Sequence, residues 1–282
     1  MYIAHKMQKV QDWVTQQWII FLGRKFNPLK EDWLMGPFGE IAQSYESFII
    51  QLAEKENLTI RRNLQCGGLL SSIELLNLPD NQLKNLSEKI INFYENTTAY
   101  KIKFEVKWNP FFKGFAYIIN RLFSQRIKQL HIPLKNKVQQ NLLGEIIELV
   151  DLSNIVKYKI WLRKHENSGE IVFFGIYGTC QLPDEQTCIK AIFPLPKGNA
   201  TVIMRPLVGK KQELILDASG NKFGKEGFYF LLNDSKNNHW VRFISSFRNK
   251  LIISESNKKI TAKQLLTLWR LKVAEFYYFI EE

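Results

Sequence analysis

The chain predicts an α+β fold in which N-terminal helices and one long amphipathic helix pack on a curved, barrel-like antiparallel sheet. Three observations carry that expectation. Up to about residue 98, apolar residues recur near a 3.6 period. From about Leu143 onward, short runs alternate apolar with polar and are separated by turn residues. Between the two, Pro110 to Leu130 joins a wide aromatic face to a basic one.

In chain order, Met7–Leu22 carries apolar residues at Met7, Val10, Trp13, Val14, Trp18 and Phe21, which predicts a helix ended by Asn27-Pro28. A second helix is expected over Phe38–Glu56, with Ile41, Tyr45, Phe48, Ile49 and Leu52 on one face. Thr59–Leu64 reads as a short strand, Cys66-Gly67-Gly68 interrupts regularity, and a helix is expected over Asn81–Asn96. Tyr100–Trp108 alternates as a strand, with Ile102, Phe104, Val106 and Trp108 opposite Lys101, Lys103, Glu105 and Lys107. Proline at a first-turn position opens the helix Pro110–Leu130.

In the C-terminal half, Val156, Tyr158, Ile160 and Leu162 alternate with Lys157, Lys159, Trp161 and Arg163, as in a half-buried strand. Ile171–Leu182 is apolar on both faces and should lie centrally. Further strands are expected near Thr187–Phe193, Ala200–Leu207, Glu213–Ala218, Gly227–Leu232, Trp240–Phe247 and Lys250–Glu255. Ile260–Ile280 fits either a helix or a strand, and FYYFI favours a strand at its end. The sum is a sheet of about eight to ten strands, curved or partly closed. The chain is expected to form one domain, 1–282, with a mainly helical part (1–98), a strand and long helix (99–142) and an antiparallel part (143–282).

The composition narrows the function classes. The 282 residues carry a net charge of +12, and 20 Phe, 10 Tyr and 7 Trp supply one large core. A basic balance favours anionic partners. The three cysteines, Cys66, Cys180 and Cys188, fit no zinc spacing and suit a reducing compartment. WIIFLG is too short for a secretory signal or a membrane span, so the expected location is cytoplasmic, with attachment at a membrane surface as the variant.

No motif fixes a reaction. FPLPKGNATVIMRP (Phe193–Pro206) holds a lysine, a glycine and an N-x-T triplet, yet no helix follows, so a hairpin with positive φ at Gly198-Asn199 replaces a phosphate loop. The glycines of GNKFGKEGFYF lack dinucleotide spacing and precede a strand. His5, His131, His165 and His239 show no metal spacing, and neither a metal nor a cofactor is expected. On the strand reading Glu275 shares a face with Val273, Tyr277 and Phe279, where burial would raise its pKa and suit it to acid–base work or to anchoring a ligand. Arg205 shares a face with Ile203 and Leu207, and would place a cation in a pocket if that face points inward.

The helix Pro110–Leu130 offers two roles. Its apolar face, including Phe115, Ile119 and Phe123, can close a cavity over the sheet, or it can enter a membrane interface with Lys113, Arg121, Arg126 and Lys128 among lipid headgroups. From Val106 to Gly144 the chain has seven Lys or Arg and no Asp or Glu. Nucleic acid is not expected, because KIKFEVKW puts its lysines and aromatics on opposite faces. The blocks NPFFKGFAYIINRLFSQRIKQLHIP, CIKAIFPLPKGNATVIMRP and FGKEGFYF resemble a family of uncharacterised bacterial proteins. That resemblance runs from about GPFGE onward and implies no activity, cofactor or site residue.

The reading that follows is a non-catalytic protein with an apolar pocket for a lipid-like or aromatic molecule, in which Phe115, Ile119, Phe123, Arg205, Glu275 and Tyr277 contribute. The alternatives are an enzyme with a Glu or His acid–base residue in the same pocket, and a peripheral membrane or partner-binding module using residues 110–130.

Overall fold

A computed structural model gives the structure of the chain and describes residues 4–5, 9–41, 44–112, 114 and 140–282. The N-terminal elements are α1 (Val10–Leu22), β1 (Arg24–Lys25), a 3-10 turn at Asp32–Leu34, α2 (Tyr45–Glu56), β2 (Thr59–Arg61), a 3-10 turn at Ile73–Leu76, α3 (Asp80–Leu83) and α4 (Glu88–Glu95). Then come β3 (Lys101–Trp108), a 3-10 turn at Pro110–Phe112, β4 (Gln140–Val150), β5 (Val156–His165), β6 (Ile171–Gln181), β7 (Thr187–Leu195) and β8 (Gly198–Val208). The chain finishes with β9 (Leu214–Ala218), β10 (Gly227–Asn233), β11 (His239–Ile244), β12 (Phe247–Ser256), β13 (Lys259–Leu268) and β14 (Leu271–Glu281).

The expected curvature goes all the way to closure. Strands β3, β4, β5, β6, β7, β8, β9, β12, β13 and β14 pair in that order, and β14 returns to β3, so ten antiparallel strands form a barrel. Closure removes exposed sheet edges. Strand β8 is shared: Arg205–Val208 pair with β9, while Gly198–Ile203 pair with β10, which continues into β11 and β1. The sheet therefore branches at β8 and widens at the end where β8 begins.

Alternation then assigns each side chain to the inside or the outside. In the β3–β14 ladder Ile102 faces Ile280, Phe104 faces Tyr278 and Val106 faces Phe276. The intervening rungs pair Lys101 with Glu281, Lys103 with Phe279 and Lys107 with Glu275. The first set lies inside the barrel or in its wall core, and the second outside. In this ladder the outer row is charged, unlike the apolar outer band of a membrane-spanning barrel. No helix among the described residues is long and apolar enough to cross a membrane.

One end of the barrel is closed by the helical segment before β3. Leu69, Leu70, Ile73, Leu76, Ile90, Phe93 and Tyr94 pack into the wall residues Ile189, Met204, Leu216, Ile253, Ala262 and Ile280. Gly68 makes this fit, because a Cβ there would lie 2.1 Å from the Glu95 carbonyl oxygen. Outside the barrel, α2 covers β4 to β6: Phe48, Ile49 and Leu52 pack on Ile147, Ile160, Leu162, Phe174 and Ile176.

Several boundaries differ from the sequence expectation for local reasons. The second helix starts at Tyr45, not Phe38, because Gly39 bonds the β7–β8 turn through Lys197 and Gly198, and Ser44 with Ser47 forms a capping box. The helix expected over Asn81–Asn96 is broken at Lys84–Ser87, where the Ser87 hydroxyl donates to Glu255 Oε2 at 2.6 Å. The ambiguous Ile260–Ile280 is a hairpin, turned at Trp269 and Arg270 with φ of 48° and 69°. Neither residue is a usual occupant of left-handed backbone, so no turn signal marked the place. Of the helix expected over Pro110–Leu130, only the first turn, Pro110–Phe112, and Gly114 are described.

The stretch Phe193–Pro206 is the hairpin of β7 and β8. Its positive φ belongs to Lys197 (59°) and not to the glycine. Gly198 is needed for close approach, since a Cβ there would meet the Leu231 carbonyl oxygen at 2.1 Å. Asn199, the first residue of the N-x-T triplet, is fully buried and bonds the Gly36 and Pro37 carbonyls.

Candidate functional site

The barrel encloses a cavity of about 900 Å³. Its wall is built from the inward rows of the strands: Ile102 and Phe104 on β3, Phe173 and Tyr177 on β6, Ala191 and Phe193 on β7, Ala200 and Val202 on β8, Leu251 on β12, and Phe276 on β14. Val10, Val14 and Trp18 of α1 line the side towards β10 and β11. A volume of this order fits the usual range for small-molecule sites, roughly 300–1,000 Å³.

Within this apolar lining stands one cation among the described residues. Arg163 on β5 lines the cavity and is 8% exposed. Its guanidinium carbon lies 4.2 Å from the Trp161 ring centroid and 3.9 Å from that of Phe173. Such contacts are worth up to about 2 kcal/mol each when desolvated. The guanidinium also lies within electrostatic reach of the Tyr278 hydroxyl. That hydroxyl donates to Gln264 Oε1 at 2.8 Å, and Gln264 Nε2 donates to Asn249 Oδ1 at 3.0 Å.

A polar chain therefore runs along the wall from Tyr278 on β14 through Gln264 on β13 to Asn249 on β12. Burial raises the pKa of Tyr278 against the opposing pull of Arg163, and Tyr177, raised by burial too, feels the same guanidinium. Both phenols are neutral at physiological pH. Among the described residues no carboxylate pairs with Arg163, and the rest of the chain contains no Asp or Glu.

The residues singled out from sequence fall elsewhere. Glu275 sits on the outer side of the barrel wall, 7% exposed, between Lys263 at 3.1 Å and Lys272 at 3.3 Å. Burial alone would raise its carboxyl, but the two lysine partners outweigh burial and hold it below its usual value, the opposite of the expected direction. Tyr277 is on the same outer face, with the Lys263 ammonium 5.5 Å from its ring. Arg205 also points outward: Ile203 belongs to the core under Trp33 and Tyr229, and Arg205 pairs with Glu226 at 3.2 Å and Asp184 at 3.5 Å. None of these three lines the cavity.

Phe115, Ile119, Phe123, Lys113, Arg121, Arg126 and Lys128 lie outside the described residues, as does His131. His5, His165 and His239 are not among the cavity-lining residues. Cys180 and Cys188 oppose each other across β6 and β7 as free thiols, pushed by burial to about 11 and about 12. No group of three or more metal-ligating side chains occurs among the described residues.

Sequence reasoning passed over Arg163 because its strand alternates like a surface strand. Trp161 at position i−2 was the available signal: a tryptophan in the supposedly wet row of β5 is out of place there.

Comparison with known proteins places the chain beside a bacterial protein of no assigned function. It is 28% identical over 178 residues to the uncharacterized membrane protein YndJ of Bacillus subtilis (strain 168). The match covers 61% of this chain and 31% of that protein, so the chain spans about a third of its relative. No protein-family model matches the chain, and no solved structure matches it.

Proposed function

We propose that the protein binds a hydrophobic small molecule inside the barrel. The observation that supports this is the cavity of about 900 Å³ with an almost wholly apolar wall, plugged at one end by residues 69–94. A neutral fluorescent probe, N-phenyl-1-naphthylamine, tests it by titration of emission. One probe per chain is expected. Val202→Trp, which grows into the lumen from the wall of β8, should abolish binding while the circular dichroism spectrum and thermal transition persist. Absence of binding to the wild-type protein, together with no organic molecule released on denaturation, would overturn the reading. Of the Glu and His candidates of the enzyme alternative, Glu275 is ion-paired on the outer face.

A second reading, delivery from an anionic membrane surface, is favoured by described residues at the end of the barrel opposite the plug. Phe111, Trp269 and Leu271 are 95%, 70% and 58% exposed there, beside the exposed cations Lys107, Arg270 and Lys272. Aromatic side chains next to basic ones suit a headgroup layer. The relative's name as a membrane protein agrees with this. Co-sedimentation with phosphatidylglycerol vesicles, weakened by Trp269→Ser with Arg270→Ser and absent with phosphatidylcholine alone, is the expected result.

A further inference from the structure

We infer that the ligand is an anionic amphiphile, whose carboxylate or phosphate head pairs with Arg163 while its apolar body fills the lumen. The inference rests on the binding reading above and adds the chemistry of the head. Two donors in the lumen carry it. Arg163 Nε and Trp161 Nε1 are both buried and have no hydrogen-bond partner among the described residues, and both side chains line the cavity from the same row of β5. Buried polar groups are satisfied in the great majority of cases, and unpaired donors cost about 1–3 kcal/mol each.

The stacking rings hold the guanidinium plane, but rings accept no directed hydrogen bond along the Nε edge. Gly144, level with Arg163 on β4, leaves room there: among the described residues a Cβ at this position would meet only Trp161 Nε1 within 4 Å, at 3.4 Å. A carboxylate or phosphate oxygen is the acceptor that such donors and such a charge select. A free hydrated anion is disfavoured because the remaining wall is apolar and would not repay its lost water. The head therefore requires an apolar body to be drawn in.

Competition for N-phenyl-1-naphthylamine at neutral pH tests the assignment in the full chain. Palmitate should displace the probe roughly tenfold or more better than methyl palmitate, the scale of one charge-assisted contact. Arg163→Met should bring that ratio to about one while the neutral probe still binds, and Arg163→Lys should keep part of the preference for the acid. Lysophosphatidate compares a phosphate head with a carboxylate head, and either as a strong competitor supports the inference. Inorganic phosphate alone is expected not to compete, and competition by it would overturn the requirement for an apolar body.

Equal displacement by acid and ester in the wild-type protein, or an unchanged ratio in Arg163→Met, would overturn the anionic head while leaving the pocket standing. Failure of the neutral probe to bind would instead bring down the pocket reading itself. The wild-type comparison of acid with ester does not depend on any variant folding.

Discussion

Two arcs of the barrel wall treat their charged residues in opposite ways. Along β3, β14 and β13 the outer face carries Lys103 paired with Glu281, and Lys263 and Lys272 paired with Glu275, the lysines reaching into solvent. Along β5 and β6 the outer face is apolar and roofed by α2, so Ile160, Leu162, Phe174 and Ile176 are buried on the outside. The alternate residues of β5, Trp161 and Arg163, then have only the lumen to point into. The same sequence pattern yields a surface ladder in one arc and an internal cation in the other. What differs is whether another element covers the strand.

The contrast can be broken at its roof. Phe174→Ala removes a fully buried ring that Phe48 and Tyr45 pack against. It should cost about 3–5 kcal/mol in a denaturant titration. A cost below about 1 kcal/mol would mean that α2 does not hold this arc.

A buried charge with full partners sharpens the comparison next. Asp234, in the turn between β10 and β11, accepts from Trp240 Nε1 at 2.9 Å and from the Lys236 and Asn238 amides. Burial would raise its carboxyl, but these bonds outweigh burial and hold it below its usual value. Asp234→Ala should therefore cost about 2–3 kcal/mol at neutral pH. A carboxyl depressed in the folded state stabilises fully above its unfolded pKa, about 3.9, and that contribution is lost as pH falls through the folded value. The gap between wild type and variant should accordingly close below about pH 4 in a pH series of unfolding curves.

In the open arc the same sign of effect should be smaller. Glu275 is also depressed, but its two lysine partners each have side chains 51% exposed. Glu275→Gln should cost no more than about 1 kcal/mol, and less in high salt. The smallest stability effect is expected at Arg163. With no carboxylate to leave stranded, Arg163→Met should leave the unfolding free energy within about 1 kcal/mol of wild type or raise it, even as it removes the preference for an acid ligand. A large loss would show that the guanidinium holds the barrel together and is not reserved for a ligand.

The sequence-level reading recovered most of the strands, because alternation and turn residues are local properties. Lys101–Trp108 and Val156–Arg163 were legible to within one or two residues, and so was the Phe193–Pro206 hairpin. The hairpin at Trp269 and Arg270 was not legible, because its positive φ values fall on residues that give no turn signal. The site was less legible than the fold. Arg205 was placed on its strand, and Glu275 on the strand alternative for Ile260–Ile280, yet which side of a strand is the lumen is not written in the strand itself.

By itself the sequence determined the antiparallel pairing units, the basic balance, the aromatic supply and the absence of acidic residues between Val106 and Gly144. Only the tertiary structure decided that ten strands close, that residues 69–94 plug one end, and that α2 covers the outer face of β5. The physical reason is that alternation has two faces of equal standing. Burial of Ile160 and Leu162 under α2 consumed the outer one, and closure of the ring turned Trp161 and Arg163 inward.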